Sequence, residues 1–195
     1  MRDIATRENI KDLILDSTDL LLSRKGYQKM TMSALADAVG IAKGTLYLHY
    51  PSKEELVLSH IDRIIFRLLV KLQTLAHSNR PAPDKLEAML VMRILFRYDS
   101  VIHYKESLSD LLRDIRPALT SRHKGHFEQE AKCFAEVLQS STFEIKSPLD
   151  TARAMMTATN SLLPNNLSSA ELGDRRGLHR RISLIAEMLI HGIEK

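Results

Sequence analysis

Lys43, Thr45, Tyr47 and His49 fall within one short stretch, and Lys53 follows four positions later. An ammonium, a hydroxyl, a phenol and an imidazole at this spacing suit contact with phosphates and base edges of a nucleic acid. No acidic residue interrupts residues 38–53, so nothing there repels a polyanion. The backbone N–H groups of residues 31–33, at the predicted start of a helix, add a second phosphate-binding feature.

Those side chains need a helix with an apolar inner face, and Leu46 supplies it. The stretch TMSALADAVGIAKGTLYLHYPSK, residues 31–53, reads as two short helices. The first covers 31–39, with Thr31 as N-cap and Leu35, Ala36 and Val39 inward. Gly40 makes the tight turn and Ile41 plugs the gap. The second covers 42–49 and is broken by Pro51. This is the layout of a helix-turn-helix whose second helix enters a DNA groove. Ahead of it, a helix over 6–24 has Ile10, Leu13, Ile14, Ser17, Leu20 and Leu21 on one face. Gly26 stops it, and Tyr27 and Met30 pack beneath the next turn.

Ser52 and Glu55 form a capping box that opens a long helix over 52–77. Its apolar stripe is Leu56, Ile61, Ile64, Ile65, Leu68, Leu69 and Leu72. Residues 78–83, SNRPAP, are the clearest loop in the chain. Helices follow over 84–102, 105–115, 117–140, 147–163 and 174–193. Ser147 as N-cap, Pro148 and Asp150 start the fourth of these. The fold class is all-α, with about nine helices.

Composition agrees. The chain has 195 residues, 44% apolar and 27% charged, with 7 Gly and 6 Pro. That is enough for a real core and a solvated surface, biased to helix. A net charge of +4 and a pI near 9.2 suit a nucleic-acid partner without establishing one. Cys133 is the single cysteine, so no intrachain disulfide forms and a reducing cytoplasm is the expected location. The N-terminus is too polar for a signal peptide. Arg67 and Lys71 interrupt the longest apolar runs, so no membrane span or membrane partner is expected.

Other chemistry-bearing residues lead less far. His126, Glu130 and Cys133 stand at i, i+4 and i+7, with His123 one turn earlier, and are metal-ligand types on one helical face. The same spacing describes a polar face beside the Phe127–Phe134 stripe, and no metal or cofactor is assigned. No Gly-rich phosphate loop, paired catalytic carboxylates or nucleophile motif occurs, and His103 and Tyr104 stand isolated. An enzyme is not expected.

Gly26-Tyr27, Leu35-Ala36, Val39-Gly40-Ile41, Lys43-Gly44-Thr45-Leu46-Tyr47, His49-Tyr50 and Ser52-Lys53-Glu54 together resemble the DNA-binding domain of the TetR/AcrR family of transcriptional repressors. The resemblance covers the first quarter to third of the chain. It implies an all-helical homodimer that binds a palindromic operator and a C-terminal domain that takes a small-molecule inducer. The domains are then 1–53, the helix-turn-helix DNA-binding domain, and 54–195, the effector-binding and dimerisation domain. Carried over by position, Thr31 and Ser33 touch phosphates. Lys43, Thr45 and His49 approach base edges or nearby phosphates, with Gly44 among them. Tyr47 and Lys53 contact phosphates.

The implied inducer pocket draws on Met89, Met92, Phe96, Phe127, Met155 and Met156. The implied dimer interface draws on Ala154, Ala158 and Leu162, then Leu178, Ile182, Ile185 and Leu189, as a four-helix contact. Ala42 departs from the family's commoner serine at the start of the recognition helix, a lost cap worth about 1 kcal/mol. The base-reading positions carry generic residues, so the operator sequence is not legible. A helix-turn-helix activator, or a helical enzyme, are the alternative functions.

Overall fold

The structure is a computed structural model that describes residues 2–104, 107–140, 143–163 and 173–193. Its helices are α1 (Arg2–Lys29), α2 (Met32–Val39), α3 (Lys43–His49), α4 (Lys53–Ala76), α5 (Ala82–Val101), α6 (Ser107–Gln139), α7 (Pro148–Thr159) and α8 (Arg175–Ile193). Two short 3-10 turns, Ile102–Tyr104 and Asn160–Leu162, follow α5 and α7. No strand occurs among the described residues, and the all-α expectation holds. No described helix is long and apolar enough to cross a membrane.

The chain forms two compact units, Met1–Arg63 with His103–Leu119, and Ile64–Ile102 with Thr120–Lys195. Both α4 and α6 therefore contribute residues to each unit.

In the first unit, α1 packs on α2 and α2 on α3. The buried face of α1 is Ile14, Leu15, Thr18, Leu21 and Leu22. Leu13 and Leu20, expected inward, are about half exposed at 50% and 46%. The inner face lies about one residue further round the helix than the sequence pattern suggests. Thr18 is admitted to it because its hydroxyl donates to the Ile14 carbonyl at 2.7 Å. Gly26 breaks the helix as expected, at φ 72 and ψ 168, and one further turn follows before Met30.

In the second unit, α5 packs along α8, and α7 on both. Leu68, Leu72, Leu86, Met89, Leu90, Ile94, Phe134, Leu138, Met156, Leu178 and Ile182 form its core. Two expectations need correction. First, the helices foreseen over 105–115 and 117–140 are one helix, with Pro117 inside it. An interior proline costs about 3 kcal/mol. Burial of Leu111 and Ile115 before it, and of Ala131, Phe134 and Leu138 after it, holds both arms in place. Second, Ser147 stands at the N-cap of α7 but makes no cap bond; its hydroxyl donates to Asp150 at 2.7 Å.

Candidate nucleic-acid interface

α2 starts where it does because Thr31 is extended and its Oγ1 accepts the N–H of Ala34 at 3.1 Å. That bond satisfies one of the open donors of the helix start and leaves those of Met32 and Ser33 directed out of its end. Burial of Met32, Leu35 and Ala36 seats the helix. It ends at Gly40, φ 76, where the Gly40 N–H reaches the carbonyls of Ala36 and Asp37, and the Ile41 N–H bonds the Ala36 carbonyl at 3.0 Å. A Cβ at Gly40 would meet nothing within 4 Å. The left-handed backbone, rather than space, is what calls for glycine.

α3 then begins at Lys43, with Ala42 at the N-cap and no side-chain cap bond. Leu46 is wholly buried. Tyr50 closes the helix, its N–H on the Leu46 carbonyl at 2.9 Å and its ring buried. With Leu46 inward, Lys43, Gly44 and Tyr47 are exposed, and Thr45 and His49 are half-buried. Thr31 and Ser33 are exposed as well. The ammonium of Lys43 lies 6.0 Å from the Tyr47 ring centre, the outer limit of a cation–π contact.

Lys53 is placed differently from the rest. Its ammonium donates to the Tyr27 carbonyl at 3.1 Å and stands 4.2 Å from the centre of the Tyr27 ring. It therefore ties the start of α4 to the turn after Gly26. An ammonium has three donors, and one is used here. At the start of α4, Ser52 Oγ accepts the N–H of Glu55 at 3.0 Å, one half of the foreseen capping box.

A polar seam along α1 was not visible in the sequence. Asp12, Asp16 and Asp19 lie along one face of α1, at the spacing that brings helical neighbours together. Arg63 of α4 reaches Asp16 at 2.8 Å and Asp12 at 3.4 Å. One turn earlier on α4, buried His60 lies 2.9 Å from the Tyr104 oxygen and 3.3 Å from Asp19. Tyr104 donates its hydroxyl proton to Asp19 at 2.6 Å, so its oxygen accepts from His60 Nε2–H. His103 Nε2 reaches the same Asp19 oxygen at 3.2 Å. His60 Nδ1 is buried without a hydrogen-bond partner.

Burial alone would raise the Asp19 carboxyl. Hydrogen bonds from His60, Tyr104 and His103, with the nearby His60 charge, hold it far below the usual carboxylate range instead. Burial and the bond to Asp19 push the Tyr104 phenol well up. His103 and Tyr104, which stand isolated in sequence, are thus partners of α1. Local periodicity holds no signal that would have joined them.

The candidate pocket residues separate. Met89, Met155 and Met156 are buried in the core of the second unit. Met92 and Phe96 line an open cleft with Lys71, Leu75, Glu87 and Arg175, and Phe127 is half-buried against the core. The candidate dimer residues separate too. Leu178 and Ile182 are fully buried and Leu162 nearly so, which corrects their assignment to an intersubunit face: they have no surface left to give a second copy. Ala154 and Ala158 are exposed, and Ile185 and Leu189 half-buried. The large apolar groups that α8 does expose are Leu184 and Met188, at 60% and 68%. The sequence reading missed both, because α8 alternates apolar residues on two faces.

The His126–Glu130–Cys133 run resolves in favour of structure. Glu130 is buried and accepts from Arg93 Nε at 2.9 Å and from Arg97 Nη2. Arg93, wholly buried, also donates to Asn160 at 2.7 Å. Burial would raise the Glu130 carboxyl, but Arg97 and Arg93 hold it below the usual range. Burial, then Arg97, lowers the Arg93 guanidinium to about 10. Cys133 is buried, its thiol pushed up to about 11 by burial and then by Glu136 and Glu130. The side chain of His123 lies outside the described residues. No group of three His, Cys, Asp or Glu that could hold a metal ion occurs among those that are described.

The geometry has counterparts among known proteins. Residues 14–59 match the family of bacterial regulatory proteins described as the tetR family. The chain is 29% identical over 143 residues to the uncharacterized HTH-type transcriptional regulator YuxN of Bacillus subtilis, covering 71% of this chain and 44% of that one. It is 42% identical over 67 residues to the HTH-type transcriptional repressor KstR of Mycobacterium tuberculosis, covering 34% and 30%. The chain thus spans less than half the length of these relatives, which are transcriptional regulators rather than enzymes.

The fold resembles that of a transcriptional regulator from Cytophaga hutchinsonii, with a TM-score of 0.73, 18% identity and 94% and 98% of the two chains covered. A regulator of the TetR/AcrR family from Thermobifida fusca gives 0.65, 17%, 95% and 98%. Residues 14–59 thus carry a helix-turn-helix that matches the tetR family of bacterial regulatory proteins, and nearly the whole chain shares the fold of these solved regulators.

Proposed function

We propose that the protein is a homodimeric repressor that grips a palindromic operator with two copies of α3 and releases it when a small-molecule effector binds the second unit. The observation that carries this reading is the outer face of α3. It is free of acidic residues, is held between a Gly40 turn and a buried Leu46, and presents Lys43, Gly44 and Tyr47 to solvent. Two such helices in successive major grooves stand about 34–36 Å apart, so the reading requires two copies. Ala154 and Ala158 on α7, with Leu184 and Met188 on α8, are the exposed small and apolar groups that suit a symmetric helical contact.

Thr31, Ser33, Tyr47 and Lys53 serve as phosphate contacts in this proposal, and Lys43, Thr45 and His49 approach the bases. The effector site is proposed to lie near Met92 and Phe96, within the second unit. The lever is α4, which starts at Lys53 beside the reading head and runs on to Ala76. An effector moves it only by binding the released state more tightly than the gripping state.

A gel shift with duplex DNA from the protein's own upstream region, at low salt, tests the DNA-binding reading. A discrete complex with two protomers per duplex supports it, and no complex overturns it. Met188→Lys tests the dimer: sedimentation should show monomer, and operator affinity should fall at least tenfold.

A further inference from the structure

Leu48 is the most exposed large apolar side chain among the described residues, 87% accessible, and it stands on α3. It does nothing for packing. It lies two positions beyond buried Leu46, about 200° round the helix, and so points directly away from the seat. Gly44, one turn before Leu48, shares that outward face, and a Cβ there would meet nothing within 4 Å. Helical side chains lean toward the N-terminus, so the isobutyl group of Leu48 leans over backbone left bare by Gly44. The centre of the face is therefore a single branched apolar tip beside uncovered backbone, bordered on one side by exposed Lys43 and Tyr47 and on the other by half-buried Thr45 and His49.

Base edges in the major groove offer donors, acceptors and one apolar group, the 5-methyl of thymine. We propose that Leu48 is a specificity-determining residue that packs on a thymine 5-methyl group in each half-site, and that Gly44 lets the helix come close enough for it to do so. The inference rests on the DNA-binding reading of α3. It adds a base preference to a position that the motif alone leaves generic. A protein surface is the poorer occupant. Leu48 has only the Tyr47 ring beside it as exposed apolar surface, which is too little for a protein-docking patch, and the helix carries positive charge at Lys43 and no negative charge.

The test begins with the full chain selecting duplexes from a randomised pool. The best duplex is then remade with deoxyuridine in place of each thymidine in turn, which removes only the methyl group. One thymine per half-site should respond, with binding weakened about fourfold, the order expected for one buried methyl. Leu48→Ala should bind the parent duplex more weakly and lose that response, with an unchanged melting temperature because the residue is exposed. Gly44→Ala should raise the melting temperature and weaken binding to the same duplex. If no thymine responds, or if the response survives in Leu48→Ala, the assignment is overturned. If no duplex is enriched at all, the DNA-binding reading itself fails.

Discussion

In the first unit a carboxylate, Asp19, is met by a phenol and two imidazoles; in the second, Glu130 is met by two guanidinium groups. The Asp19 side chain is 41% exposed, while those of Glu130 and Arg93 are 1% and 0%. Water screens a half-exposed ion pair far more than a buried one, and guanidiniums stay charged in either setting. The first cluster is therefore a water-facing seam of modest strength. The second is a permanently charged knot with one more positive charge than negative. A knot of that kind tolerates little: a buried charge that loses its partner is far more costly than one that loses it in water.

Removing the knot's carboxylate should have the largest effect. Glu130→Leu leaves Arg93 and Arg97 without a counter-charge, and urea unfolding should register a loss of about 3–5 kcal/mol. Adding Arg93→Met should recover a substantial part of it. A loss under about 1 kcal/mol for the single change would erase the distinction between the two clusters.

Asp19→Asn should cost less, about 1–2 kcal/mol near neutral pH, because its bonds are charge-assisted but half-exposed. It should also alter the pH dependence. The Asp19 carboxyl is depressed in the folded state, so below its unfolded value of about 3.9 the unfolded chain binds more protons. Its contribution is complete above about pH 4 and disappears as pH falls toward the folded value. Urea midpoints measured down to about pH 3 should thus fall less steeply for Asp19→Asn than for the native protein. Parallel curves would show that the seam contributes nothing to acid stability. Glu130 is depressed too, so part of the slope should remain.

Single contacts in the first unit extend the comparison downward. Thr31→Ala removes the α2 cap and should cost about 1 kcal/mol by thermal or urea unfolding. Lys53→Ala should lower stability by about 0.5–1 kcal/mol, through the lost contact with the Tyr27 ring and carbonyl. If Lys53 also meets a phosphate, the log–log salt slope of DNA binding should fall by about one per monomer. A stability loss with an unchanged slope would confine Lys53 to its role within the fold.

The helix-turn-helix was readable because its signals are local. Thr31 reaches the N–H three residues on, Gly40 turns on its own backbone, and Ser52 caps at Glu55. Each depends on residue type and spacing within one helical turn. The inner face of α1 was misjudged for the opposite reason. Leu13, Ile14, Leu15, Leu20, Leu21 and Leu22 are apolar over more than half the circumference, so periodicity alone does not choose among them. Only the neighbours that bury Leu15 and Leu22 decide. The outward face of α8 escaped notice in the same way. Leu184 and Met188 are as apolar as Leu178 and Ile182, and differ only in what lies beside them. Leu48 was passed over beside Leu46, although one is buried and the other points away.

Sequence alone determined the all-α class, the turn at Gly40, the caps at Thr31 and Ser52 and the extent of α3, because short-range hydrogen bonds and backbone preferences act without reference to the rest of the chain. Tertiary structure decided that α6 runs through Pro117, that His103 and Tyr104 meet Asp19, and that Arg93 meets Glu130 across 37 positions. Burial selects such pairings. A charged or apolar side chain is placed by the surfaces that close over it, and those surfaces come from segments that periodicity cannot relate to one another.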